Sequence, residues 1–550
     1  MVSHRFVLLA LALLYLVDAG PAHSKSKQKG KKEKLDEISN SMPKGDDGKP
    51  LKGKELFKKA IISLAPFTTI DEVDKIAEFK AKIKPKKEKE LKARQQEVYK
   101  KNKDKIDRAI AENNKLNVKQ IPDTDAQPTY DQINSALGMD AILVEGDIEM
   151  DLTAMKAHYG EKEETSGTRF KRQAFYDSDY PSTIWSDGVY YYFDSALNSK
   201  ARTVIQKAID FYEQNTCIRF HEVTDAASSP STPVIKIFPG SGCYSSIGKN
   251  FWTTEQTLSL GAGCETFGIA AHELAHSLGI FHEQSRYDRD SFVYVNEDNI
   301  ETGGGDQYNL ENTDTNYNYG LKYEYRGLMH YRPNQLGKND EETTVMFALD
   351  PLYQQAIGGS KGPMFTDIYE LNLHYSCDQC DNSDTVCYYG GIPNPNSCGT
   401  CICPSGFGGA DCGDREAPKA GATCGADLSA TSTWKTLNVT NQVGNGQWAV
   451  GDLDNPPQCT WHIYGPSGSK VQWKVISVGQ DNDSNGLCYD LCYFGGVNIK
   501  GHETSWKNEG IRYCCPAQYN TITASNSNLA TITAWNNYLY TDFVIQYKTV

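Results

Sequence analysis

Apolar residues recur at helical spacing from about Ile70 to Val118 among dense Lys and Glu, which predicts one or two amphipathic helices with a solvated charged face. The preceding residues 23–54 are lysine-rich and too poor in apolar positions to offset backbone entropy, so they read as disordered. Beyond residue 172 the pattern changes. VYYYF (189–193) and PVIKIF (233–238) read as strands, whereas TVIQKAIDFYEQN (203–215) and ETFGIAAHELAHSLG (265–279) keep helical spacing, so 173–377 is expected to be an α+β domain. From 424 to 550, short runs such as CTWHIY, KVQWKVISV, GVNIK, ATITAW and DFVIQY are separated by Gly, Asn and Pro and predict a β-sandwich. One apolar run stands apart, Phe6 to Val17, preceded by His4 and Arg5 and followed by small residues around Ala19 and Ala22. It is short for a membrane span and has the three zones of a secretory signal peptide over 1–22, so the protein is expected to be secreted, with no membrane span.

Charge sharpens the boundary at 172. The overall charge of -14 divides into 33 Lys+Arg against 27 Asp+Glu in 23–172, and 22 against 42 in 173–550. The acidic remainder argues against nucleic acid as a partner, since phosphate contacts need clustered cations. All 16 cysteines lie between Cys217 and Cys515, with spacings usual for disulfides formed in an oxidising compartment. At the boundary stands RFKR, Arg169 to Arg172, a sequence suited to a convertase-type protease that selects basic side chains. Residues 23–172 therefore read as a propeptide cut after Arg172. Residues 378–413 carry six cysteines in a unit too small for a core and must be stapled.

The segment His272-Glu273-Leu274-Ala275-His276-Ser277-Leu278-Gly279-Ile280-Phe281-His282 carries the chemistry. His272 and His276, four apart on one helix, point both imidazoles toward one metal ion. Glu273 lies beside them, within reach of a water on that ion. Gly279 can take positive φ, ending the helix so that the chain turns back to present His282. Three neutral imidazoles leave a fourth position open, as catalytic zinc sites do.

Extended through HEQSRYDRD (282–290) and the later GLMHY (327–331), this pattern resembles the astacin family of metzincin metallopeptidases. The resemblance covers about 181–377. It implies one Zn²⁺ per chain held by His272, His276 and His282, with a water and the Tyr331 phenol completing the shell and Met329 as the turn residue beneath. Glu273 would be the general base, and Glu283 would receive the new N-terminus after maturation. Gly327 stands where the family usually has Ser, which implies a looser turn, and a mature start at Gln173 is slightly long for the usual buried N-terminus. Matrix metallopeptidases keep latency with a propeptide cysteine, which is absent here. Instead Val144-Glu145-Gly146-Asp147 resembles the astacin propeptide motif Phe-x-Gly-Asp and implies that Asp147 ligates the metal before activation. The resemblance also implies the disulfides Cys217–Cys377 and Cys243–Cys264. The 378–413 segment resembles an EGF-like module, with Cys403 and Cys412 near its end, and 424–550 resembles a CUB domain. Asn438 and Asn482 head glycosylation sequons.

The architecture expected is thus multidomain: a partly helical, partly disordered propeptide, an α+β metzincin catalytic domain, a small disulfide-rich EGF-like module and an all-β CUB-like sandwich. The function implied is hydrolysis of extracellular protein substrates by a secreted zymogen. The competing expectation is an inert matrix or adhesion protein that binds through its EGF-like and CUB modules.

Overall fold

The computed structural model describes residues 30–45, 47–64, 69–122, 125–160, 181–311, 313, 317–447, 454–480, 483 and 486–550. The signal peptide, Arg172, Gln173 and Asn482 lie outside the described residues. A six-stranded sheet organises the middle of the chain, built from β1 (Ile148–Glu149), β2 (Val189–Phe193), β3 (Phe220–Glu222), β4 (Val234–Phe238), β5 (Cys243–Ser246) and β6 (Glu255–Leu260) in the order β1-β5-β6-β4-β2-β3. β5 runs antiparallel to β6, and the other pairings are parallel. β4 and β2 follow the apolar runs. β6 is fully buried although it reads EQTLSL, and most of its polar groups are matched: Tyr192 donates to Glu255 Oε2 at 2.6 Å, Gln256 donates to the Gly248 carbonyl at 2.8 Å and Ser259 donates to the Gly242 carbonyl at 2.6 Å.

The described residues within 23–54 depart from the disorder expected of them, whereas the helix expected over about 70–118 is present. The segment before residue 172 forms α1 (Lys31–Ser41), α2 (Gly53–Leu64), α3 (Ile70–Leu116), α4 (Tyr130–Ala136) and α5 (Leu152–His158), and it supplies β1 itself. These helices share one buried apolar cluster with residues 185–371. Ile38 occupies the space that a Cβ on Gly263 would need, 2.8 Å away, and Phe57 lies 5.7 Å from the Tyr244 ring. The long helix α3, bent at Asn102, is not simply solvated either. Lys80 is buried, donates to the carbonyls of Asp140 (2.6 Å) and Leu143, and faces the buried Asp306 at 3.6 Å. Arg94 and Gln95 bind Asp290, and His158 lies 3.1 Å from Glu311. The opposite charges of the two halves meet across this face.

Two further helices, α6 (Ser199–Asn215) and α7 (Phe267–Ser277), pack on each other and on the sheet, with Tyr212 donating to the Ala271 carbonyl at 2.8 Å. α8 (Lys338–Glu341) and α9 (Phe365–His374) follow. Cys217–Cys377 joins the start of the domain to the residues just after α9, and Cys243–Cys264 pins β5 to the approach of α7. The small unit after 377 is stapled by Cys380–Cys398, Cys387–Cys401 and Cys403–Cys412.

The C-terminal region is a sandwich of two sheets. One holds Ala426–Ser429, Gln458–Tyr464, Leu529–Asn536, Gly495–Lys500 and Ile511–Tyr513, the other Lys435–Val439, Asp542–Thr549, Val471–Gly479 and Thr523–Ala524. Cys424–Cys459, Cys488–Cys515 and Cys492–Cys514 brace it. It also meets the N-terminal segment: Lys119 donates to the Cys488 carbonyl at 2.9 Å, and Asp490 donates to that of Lys119 at 3.0 Å. Among the described residues no helix is long and apolar enough to cross a membrane.

Candidate metal centre and active site

Helix α7 is capped by Thr266, whose hydroxyl accepts from the Ile269 amide, and all of its residues except Gly268 are buried. Gly279, at φ +99°, ends it and sends the chain back. The Nε2 atom of His272 then lies 3.1 Å from that of His276 and 3.2 Å from that of His282. Each Nδ1 faces an acceptor: the Leu328 carbonyl for His272 (3.2 Å), the Ile280 carbonyl for His276 (2.7 Å) and the Glu145 carboxylate for His282 (2.8 Å). An imidazole that donates from Nδ1 carries its lone pair on Nε2, so three lone pairs converge on one point. A cation is what makes that convergence favourable, and a set of three nitrogens plus a carboxylate suits zinc.

The carboxylate is Asp147. Its Oδ2 lies 3.0 Å from His272 Nε2 and 3.3 Å from His282 Nε2, and its Oδ1 lies 3.4 Å from His276 Nε2. β1 delivers it, pairing Ile148 with Ser245 and Glu149 with Ser246. The turn before β1 needs positive φ at Gly146 (+85°) and places Glu145 there too (+48°), a costlier conformation for a residue with a Cβ. Asn134 clips this turn to β5, donating to the carbonyls of Gly146 (3.0 Å) and Cys243 (2.6 Å) while accepting from the Cys243 amide (2.8 Å).

Glu273 is fully buried beside the cluster, and neither of its carboxylate oxygens has a hydrogen-bond partner among the described residues. Burial, with the Asp147 charge behind it, holds its carboxyl well above the usual range. Met329 is buried in the same apolar cluster as helix α7, and its carbonyl accepts from the amide of Glu283, next to His282, at 2.8 Å. The turn that holds it is tied rather than loose despite Gly327: Asp367 accepts from the Leu328 amide (3.1 Å) and the Met364 amide (2.6 Å). Tyr331 packs edge-on to His282, ring centroids 4.8 Å apart, and its hydroxyl donates to the Glu145 carbonyl. Glu283 accepts from Arg286 (3.0 Å) and from the Glu324 amide (2.8 Å). Asn438 is exposed on its strand.

Tyr130 was not singled out by its sequence. Its ring stacks on His272 with centroids 4.4 Å apart, and its hydroxyl lies 3.4 Å from His282 Nε2. One tyrosine in a polar stretch, 142 residues before the histidine that it covers, carries no signal of its own.

A helix with two histidines one turn apart, a third returned by a glycine turn and a methionine turn beneath define a metal-dependent hydrolase site of the metzincin kind. The profile described as Astacin (Peptidase family M12A) matches residues 177–376. The zinc metalloproteinase nas-31 of Caenorhabditis elegans is 38% identical over 427 residues, 77% of this chain and 66% of that protein. The zinc metalloproteinase nas-29 of the same nematode is 33% identical over 390 residues, 71% of this chain and 70% of that protein. Among solved structures, high choriolytic enzyme 1, a hatching enzyme zinc-protease from the medaka fish Oryzias latipes, is 29% identical, with a TM-score of 0.32 over 36% of this chain and 96% of that one. This chain belongs to the astacin family of zinc metallopeptidases, and its cofactor is zinc.

Proposed function

We propose that the protein is a secreted endopeptidase of extracellular proteins, made as a zymogen that Asp147 keeps closed until a convertase-type protease cuts after Arg172. The observation that carries this is the seat of Asp147, against all three histidines at 3.0–3.4 Å. A carboxylate there takes the position that a reacting water needs. Zinc, when bound by His272, His276 and His282, supplies a Lewis acid that acidifies a water and polarises a peptide carbonyl. Glu273 takes the proton of that water and returns it to the leaving amine. Tyr331, released from the Glu145 carbonyl when the prosegment leaves, turns its phenol toward the tetrahedral oxyanion and donates to it. Glu283 becomes available to the new N-terminus. The inert-matrix reading is not favoured, because every group the reaction needs is present and buried in place.

The uncleaved Asp147→Ala precursor tests the reading. It should hydrolyse peptides before any cut, whereas uncleaved Glu149→Gln, which keeps the hydrogen bond from Thr257, should stay latent. An Asp147→Ala precursor that is silent until cut after Arg172, and fully active afterwards, would remove the aspartate from latency.

A further inference from the structure

Residues 321–330 lead into the methionine turn without a helix or strand of their own, so their backbone groups depend on partners from elsewhere. The sandwich supplies several. Its loop between Gly495–Lys500 and Ile511–Tyr513 lies against this segment, and Asn508 Nδ2 donates to the carbonyls of Tyr323 (3.1 Å) and Lys322 (3.4 Å). The Glu509 amide donates to one Glu324 carboxylate oxygen at 3.0 Å, while the Arg326 amide donates to the other, also at 3.0 Å. The Glu509 side chain is held in turn by the Ser405 hydroxyl at 2.5 Å and by Arg326 and Lys500, each at 3.5 Å. Glu324, Asn508 and Glu509 are all buried.

Two links run from this segment to the catalytic groups. The Glu324 amide donates to Glu283 at 2.8 Å, and Glu283, next to the ligand His282, donates its own amide to the Met329 carbonyl at 2.8 Å. The Tyr323 hydroxyl lies 2.7 Å from His330 Nε2, and His330 Nδ1 lies 2.7 Å from the Tyr331 carbonyl. A donor on the sandwich thus fixes Tyr323, Tyr323 fixes His330, and His330 fixes the backbone that aims Tyr331.

We propose that the C-terminal sandwich is part of the active-site scaffold, with Asn508 and Glu509 as positioning residues acting through 322–331. This rests on the peptidase reading above. It differs from the expectation that the sandwich serves to bring substrates in, because a scaffold acts on every substrate, however small. Misplacing a catalytic group by about 1 Å can cost on the order of 100-fold in rate. Loss of one supporting hydrogen bond is expected to cost about ten-fold.

The test uses the full mature protein, wild type against Asn508→Ala, with a fluorogenic peptide too short to reach the sandwich and with casein. The expected result is a kcat on the short peptide about ten-fold lower with KM within about two-fold, at equal zinc content and equal circular dichroism. A second pair approaches the same contact from the peptidase side: Glu324→Ala should lose kcat, and Glu324→Gln, which still accepts the Glu509 amide, should recover most of it. That pair decides the matter if Asn508→Ala does not fold. Unchanged short-peptide kinetics overturn the proposal, including the case in which KM for casein alone rises, since that is substrate docking. A mature wild type that cuts no peptide would sink the peptidase reading instead.

Discussion

Two parts of the chain outside the peptidase domain pack against it, and the two contacts are built differently. On one side the prosegment reaches the metal centre with Asp147 and Tyr130 and spreads along the domain through charge pairs such as Arg94–Asp290. On the other, the sandwich loop grips 322–326 through buried polar groups. All eight disulfides lie beyond residue 216, so no covalent link other than the main chain holds the prosegment, whereas three of them brace the sandwich. Both contacts bury polar groups, Lys80 with Asp306 on the one side and Glu324 with Asn508 and Glu509 on the other, so what separates them is the covalent bracing.

The largest effect removes the chemistry that both contacts serve. Glu273→Ala should lower kcat by about 10²–10⁴-fold with zinc content unchanged, because the carboxylate acts as base and not as ligand. Loss of zinc from that variant, read by metal analysis, would show the residue misassigned.

Next comes a change confined to the removable side. Lys80→Met removes the buried one of the two lysines that face Asp306 at 3.6 Å and leaves the part-exposed Lys84, so the cost falls below the figure of about 3–5 kcal/mol for a wholly broken buried pair. In the intact precursor, amide exchange in α3 and in 140–147 should accelerate markedly. The matured enzyme should be indistinguishable from wild type, since Lys80 is no longer part of it. Equal exchange in the two precursors would mean that the charged face contributes nothing to docking.

Tyr331→Phe should lower kcat roughly ten- to a thousand-fold while KM changes little, the phenol acting mainly in the transition state. An unchanged kcat would exclude it as an oxyanion donor.

The smallest effect probes the permanent side through pH. Burial, reinforced by the Glu509 charge and opposed by Lys500 and the amides of Arg326 and Glu509, raises Glu324 from 4.5 to about 8. Lys500 and Arg326 overcome the burial of Glu509 and hold it at about 2. A carboxyl raised on folding is protonated in the native state where the unfolded chain would ionise it, so it costs stability as pH climbs from 4.5 and the cost levels off beyond about 8. Glu324→Gln has no such dependence. Its melting temperature should therefore gain on wild type between about pH 5 and pH 8, and a constant difference across that range would contradict a raised Glu324.

The histidines, Glu273 and the methionine turn were legible because their spacing is the chemistry: contiguous residues on one helix and one turn fix the geometry. Asp147 was legible from a four-residue motif. α1 and α2 were not, because a lysine-rich stretch looks unable to fold when the partners of Ile38 and Phe57 lie some 190–225 residues further on, around Tyr244 and Gly263. The strands of the sandwich announced themselves as short runs punctuated by Gly, Asn and Pro, whereas its junction with 322–326 did not. That junction is made largely of main-chain amides and carbonyls, which every residue type carries alike.

The pairing of Lys119 with Cys488 and Asp490 has a consequence in time. The neighbouring contact between Leu116 and Cys488 spans 372 residues, and a ribosome adding about 5–20 residues per second needs roughly 20–75 s to cross that distance. During that interval the peptidase domain is already emerging with Asp147 at hand to fill its cleft, while the far end of α3 still waits for a partner that has not been made. A chain halted before residue 488 would thus contain Asp147 and all three histidines but lack the partner of Leu116.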